Sequence, residues 1–133
     1  MNYGNGFAFV GNQYKITVDD TDYFIDLLFY HLELCCYIVV ELKARKFTPA
    51  DTGQLNFYIN VINDTLKKAT DNPTIGILLC KNKEKLTAEY SLKNINSPIG
   101  VSEYKLLGDI PKYLEGKLPK VEDIELHIQD IEE

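Results

Sequence analysis

The sequence predicts an α/β fold: a mixed β-sheet in β-β-β-α-β order with a central helix packed on it. Three observations lead there. Two apolar β-type runs follow one another almost without a break in YFIDLLFYHLELCCYIVVELKARK, Tyr23 to Lys46. The next segment carries apolar residues at helical spacing, and an uninterrupted apolar run of strand length follows it.

The elements follow in order. Gly4, Gly6 and Gly11 mark an entry loop leading into a strand over Tyr14–Val18, and Asp19-Asp20-Thr21-Asp22 is a turn. Tyr23–Tyr30 and Cys35–Lys43 are strands. The joint at His31–Leu34 is short enough for a hairpin, with His31 as its cap, so the first three strands form an antiparallel meander. Pro49 suits the first turn of a helix, with Thr48 as N-cap and Asp51 near the positive end. Leu55, Tyr58, Ile59, Ile62 and Leu66 carry the helical period to about Lys68, and Asp71-Asn72-Pro73 stops it. Thr74–Cys80 reads as a buried strand in the parallel position that follows a crossover helix. Leu86–Ser91 and Val101–Leu106 read as further short strands. Ile110–Glu115 reads as a helical turn, and the acidic end as weakly helical or frayed.

At 133 residues the chain is one domain's worth, placed at 1–120 and followed by an acidic tail at 121–133. The tail holds six acids and no Lys or Arg, whereas residues 1–120 hold 14 acids against 14 bases. The body is therefore neutral and lacks a bulk basic footprint for nucleic acid. Lys43-Arg45-Lys46 and Lys81-Lys83-Lys85 are local exceptions that matter only if they converge in space; a solvated rim is the plainer reading of the second. No window nears the roughly 18 apolar residues of a membrane span, and the N-terminus lacks the pattern of a secretory signal. Cys35, Cys36 and Cys80 form no spaced framework and read as reduced, mostly packed thiols of a cytoplasmic protein. A structural zinc site is not expected from a chain with no C-x-x-C and two histidines.

The opening stretch also carries charge in a place that otherwise reads as core. Alternation along a strand puts Glu41 and Lys43 on one face and Leu42 on the other. A hairpin of this length lets the neighbouring strand place Asp26 beside them. Asp26 lies among Tyr, Phe, Ile and Leu neighbours, where an acid must be paired, hydrogen-bonded or metal-bound. Two carboxylates offer oxygen ligands to a hard divalent ion such as Mg2+, and a lysine beside them can hold or polarise a water attacking a phosphodiester. A Glu-x-Lys at a strand end is also common as a solvated pair, and Asp26 is what sharpens the reading.

Asp26, fourteen residues and then Glu41-Leu42-Lys43 resemble the PD-(D/E)XK nuclease signature on its β-β-β-α-β core. Gln54-x-x-x-Tyr58 is similar to the Gln-x-x-x-Tyr element of RecB-like members. In order, GFAFVGNQY, FIDLLFYH, VVELKARKFTPADTGQLNFYINVINDTLK, NPTIGILLCKNK and AEYSLKNINSPIGVSEYKL resemble the C-terminal nuclease domain of the YhcG-type family, from about Gly6 to Pro119. The resemblance implies a restriction-endonuclease-like fold and a Mg2+-dependent DNA nuclease, with Mn2+ as a substitute. It implies Asp26 and Glu41 as metal ligands and Lys43 as water-orienting base or electrostatic stabiliser. Gln54 would orient Lys43, a phosphate or the metal water, and Tyr58 is either support or simple helix packing. Family members often carry a glutamate shortly before the Gly-x-Gly-Phe segment, where this chain has Asn2. Relatives also carry a helical N-terminal domain, absent from this chain. The alternative reading is a catalytically weak or inactive nuclease-fold module for nucleic-acid binding or protein complex formation; a homodimer is a further expectation.

Overall fold

The structure is a computed structural model that describes the backbone at residues 2–3 and the chain at 6–103. Its element order is β1 (Asn2–Tyr3), β2 (Phe7–Val18), β3 (Thr21–His31), β4 (Cys36–Lys46), α1 (Pro49–Thr65), β5 (Ile75–Asn82), α2 (Lys85–Leu92) and β6 (Ile99–Glu103). The six strands form one sheet in chain order. The first four are antiparallel neighbours, and β4, β5 and β6 run parallel. The mixed sheet, the meander and the parallel strand after the helix are all as the sequence predicts.

Side-chain alternation divides the sheet into two cores. One face buries Phe7, Leu27, Phe29, Ile38, Val40, Leu42, Ile77 and Leu79. The other buries Ile25, Leu28, Val39, Leu78 and Cys80 against Leu55, Tyr58, Ile59 and Ile62 of α1. These helix positions are the ones singled out by their spacing. Gly76 of β5 lets the helix lie close: a Cβ there would sit 2.5 Å from Ile59 Cδ1 and 3.0 Å from Leu55 Cγ. The helix is anchored at its start as well. Asp51, 3% exposed, accepts the Thr48 N–H at 2.9 Å and both Arg45 guanidinium nitrogens at 2.9 and 2.6 Å. Burial raises the Asp51 carboxyl, but Arg45, the Thr48 N–H and the Lys43 charge together hold it below its ordinary value.

Four sequence expectations need correction. The strand expected over Tyr14–Val18 begins at Phe7, because the glycine-bearing segment absorbs a register shift in a bulge between Phe9 and Gly11 and stays paired with β3. The helix ends at Thr65 rather than Lys68; the Asp71 carboxylate accepts the Lys68 N–H at 2.9 Å and shapes the chain into a turn. Leu86–Ser91 lies in the helix α2, not in a strand. Two parallel strands cannot be joined by a hairpin, so the chain between β5 and β6 must cross over, and α2 is part of that crossover. The last strand begins at Ile99 rather than Val101; residues 104–106, the turn at Ile110–Glu115 and the acidic tail lie outside the described residues.

Two smaller expectations hold, at His31 and at Cys80. His31 Nδ1 accepts the Leu34 N–H at 2.9 Å across the β3–β4 joint, and Cys80 is buried in the helix-side core. No described helix is long and apolar enough to cross a membrane.

Candidate active site

The site lies where β3 parts from β4. Their ladder joins Leu27–His31 to Cys36–Val40 and stops there. Beyond it Glu41, Leu42 and Lys43 still pair with β5 on their other side, opposite Leu78, Leu79 and Cys80. Two carboxylates take over the bonds that the ladder no longer supplies. The Asp26 N–H donates to Glu41 Oε2 at 2.8 Å, and the Leu42 N–H donates to Asp26 Oδ2 at 2.8 Å. Each acid thus binds the other strand's backbone, which fixes their spacing against the sheet.

Alternation puts Glu41 on the helix side with Val39, and Lys43 two residues on shares that face. There Lys43 Nζ donates to Gln54 Oε1 of α1 at 2.6 Å. Tyr58, one turn further along α1, is 4% exposed and packs edge-on against Tyr23 at 6.4 Å between ring centroids. Asp26, Glu41, Lys43 and Gln54 therefore come together in one place. Tyr58 adjoins them, in hydrogen-bond contact with Gln54, its phenol pushed up to about 12 by burial and then by the Glu41 and Asp26 charges.

Electrostatically the pair of acids is under load. Glu41 is 3% exposed, and burial, then the neighbouring Asp26 charge, push its carboxyl up to about 8. Asp26 is raised by burial, with hydrogen bonds from Leu42 and Gln13 and the charge of Lys43 drawing it partly back. Gln13 was not foreseen: its side-chain Nε2 donates to Asp26 Oδ1 at 3.1 Å.

The two basic clusters do converge. Strands β4 and β5 are parallel neighbours in which Lys43 stands opposite Cys80 and Lys46 opposite Asn82. Both clusters therefore reach the same end of the sheet. Part of this charge is engaged locally: Arg45 with Asp51, Lys46 with Glu84 at 2.7 Å, and Lys83 with the Val101 carbonyl at 2.9 Å.

Among the described residues no group of three or more His, Cys, Asp or Glu side chains gathers where it could hold a metal ion. The acidic pair itself suits a hard divalent cation. Mg2+ is commonly bound through one or two carboxylates, the remaining positions being filled by water and substrate phosphate. Two mutually repelling carboxyls held at fixed spacing are a donor set that such an ion would relieve.

A model of the YhcG PDDEXK nuclease domain matches residues 1–119. The chain belongs to this nuclease family. A curated relative from Escherichia coli (strain K12), named "Putative nuclease YhcG", is 39% identical over 106 residues, which is 80% of this chain and 28% of the relative. The chain thus spans less than a third of that protein's length. Among solved structures, a repair endonuclease from Pyrococcus abyssi superposes with a TM-score of 0.54 at 18% identity, over 72% of this chain and 37% of the other. An EndoMS complex with double-stranded DNA gives a TM-score of 0.53 at 17% identity, over 76% of this chain and 38% of the other. The fold is accordingly restriction-endonuclease-like.

Proposed function

We propose that this YhcG-type domain is a divalent-metal-dependent DNA nuclease that hydrolyses phosphodiester bonds. One observation carries the reading: Asp26 and Glu41 are locked to each other's strands within reach of a Lys43 oriented by Gln54. Membership of the PDDEXK nuclease family supports it, and the two basic clusters meeting at one sheet end offer a surface for the phosphate backbone.

Asp26 and Glu41 would hold Mg2+, which when bound lowers the pKa of a water and offsets charge on the phosphate. The protein's own contributions are geometric and electrostatic. Asp26 and Glu41 are each fixed through one carboxylate oxygen by a backbone N–H, which limits their reorganisation. Lys43 supplies an ammonium with three donors and no acceptor, suited to steady an attacking water or the charge developing on a phosphate oxygen. Gln54 holds that ammonium in place, and burial of Glu41 beneath α1 keeps bulk water from one side of the pair.

The chain incubated with plasmid and single-stranded DNA is expected to cut with Mg2+ or Mn2+ and to stop on addition of EDTA. Asp26→Asn, which keeps shape and removes charge, should lower the rate about 100-fold or more. Cleavage that persists undiminished in EDTA contradicts the proposal. Among the described residues two rather than three acidic groups gather at the site, and this favours a second reading, a nuclease-fold module that binds DNA without cutting it. Under that reading Asp26→Asn leaves DNA binding unchanged and no divalent ion is taken up.

A further inference from the structure

Gln13 and Asp26 are level with one another across the β2–β3 pair, between the registered pairs Asn12–Leu27 and Tyr14–Ile25. At this level the strand pattern breaks. Ile25 and Leu28 both pack in the helix-side core, while Leu27 packs in the opposite one. Residues three apart on a regular strand face opposite sides, so the alternation of β3 slips by one at Asp26. Opposite that slip Gln13 adopts φ +49°, a left-handed conformation that costs a residue with a Cβ about 1 kcal/mol or more.

The glutamine side chain is exposed and fills no core space. Its amide nevertheless donates to Asp26 Oδ1, while the Leu42 N–H donates to Oδ2. Both oxygens of Asp26 are thus held, one by backbone and one by Gln13. The donor is neutral. A lysine or arginine in its place would also orient the carboxylate, but would cancel the negative charge that a cation needs.

We propose that Gln13 is a positioning residue of the acidic pair: its neutral amide fixes Asp26 for a divalent cation without discharging it. The inference rests on the reading of Asp26 and Glu41 as cation ligands. Groups that orient a metal ligand typically contribute about 10–100-fold to affinity, which sets the expected effect.

The test is a calorimetric titration with Ca2+ in the absence of DNA, beside metal-free thermal melting. Gln13→Gly accepts the left-handed backbone without strain and removes the amide. It should melt at the same temperature as the wild type or higher, yet bind Ca2+ roughly 10–100-fold more weakly. Gln13→Asn tolerates the same backbone but carries an amide one carbon shorter, and it should show the same weakening. Gln13→Gly or Gln13→Asn binding Ca2+ as tightly as the wild type overturns the inference alone. A wild type that takes up no Ca2+ overturns it together with the reading on which it rests.

Discussion

Lys43→Ala is expected to lower divalent-dependent DNA cleavage by about 100- to 10,000-fold while leaving the fold intact. Two facts separate the chemical effect from a structural one. The Nζ makes one side-chain hydrogen bond, to Gln54, in a half-buried position, and loss of that bond costs about 0.5–1.5 kcal/mol. Glu41, by contrast, is buried two residues earlier on the same strand and carries the burden of packing. Gln54→Ala should produce the same kind of defect in smaller measure, because it frees the ammonium without removing it. The measurement is a single-turnover cleavage rate at saturating Mg2+, paired with circular dichroism and a melting curve. Wild-type cleavage by Lys43→Ala would remove Lys43 from the chemistry.

The second large effect concerns stability without metal. Glu41 ionises at about 8 in the folded protein against an ordinary 4.5. Below about pH 4.5 both folded and unfolded states hold this proton. Between 4.5 and 8 the unfolded chain releases it while the native protein keeps it, so unfolding is favoured as pH rises. The native protein in EDTA should therefore lose stability steadily from pH 5 to pH 8, on the order of a few kcal/mol. Asp26 is displaced in the same direction, so its contribution has the same sign. Asp51, held low by Arg45, acts oppositely but below pH 4, outside this window. Glu41→Gln should flatten the profile and make the metal-free protein more stable at pH 8. Urea denaturation at three pH values checks this, and stability that rises from pH 5 to 8 contradicts it.

The strand pair at the heart of the site was legible because its chemistry follows from alternation. Once Tyr23–Tyr30 and Cys35–Lys43 are read as paired strands, Glu41 and Lys43 share a face, and only Asp26 among the neighbouring acids can meet them. Helical spacing likewise placed Leu55, Tyr58, Ile59 and Ile62 on the sheet, and with them Gln54 one turn before Tyr58. Two features resisted the same reasoning. In Leu86-Thr87-Ala88-Glu89-Tyr90-Ser91 apolar and polar residues alternate with period two, which mimics a strand, although Ala88 is the one buried residue of the α2 helix there. Its helical form follows from topology, since a parallel partner for β5 requires a crossover. Gln13 was hidden for another reason. Its role depends on a left-handed backbone and a slip in alternation, and neither is encoded by residue type at that position. Within the glycine-bearing segment it reads as part of an entry loop, whereas it is the third strand-borne contact of the acidic pair.

Everything proposed for this site depends on Asp26 and Glu41 holding a cation together. Crystals soaked in Mn2+ and measured at the manganese edge test it most directly. An anomalous peak bridging the carboxylates of Asp26 and Glu41 is expected, and it should vanish in Asp26→Asn; a map with no peak at this pair rules the cation site out.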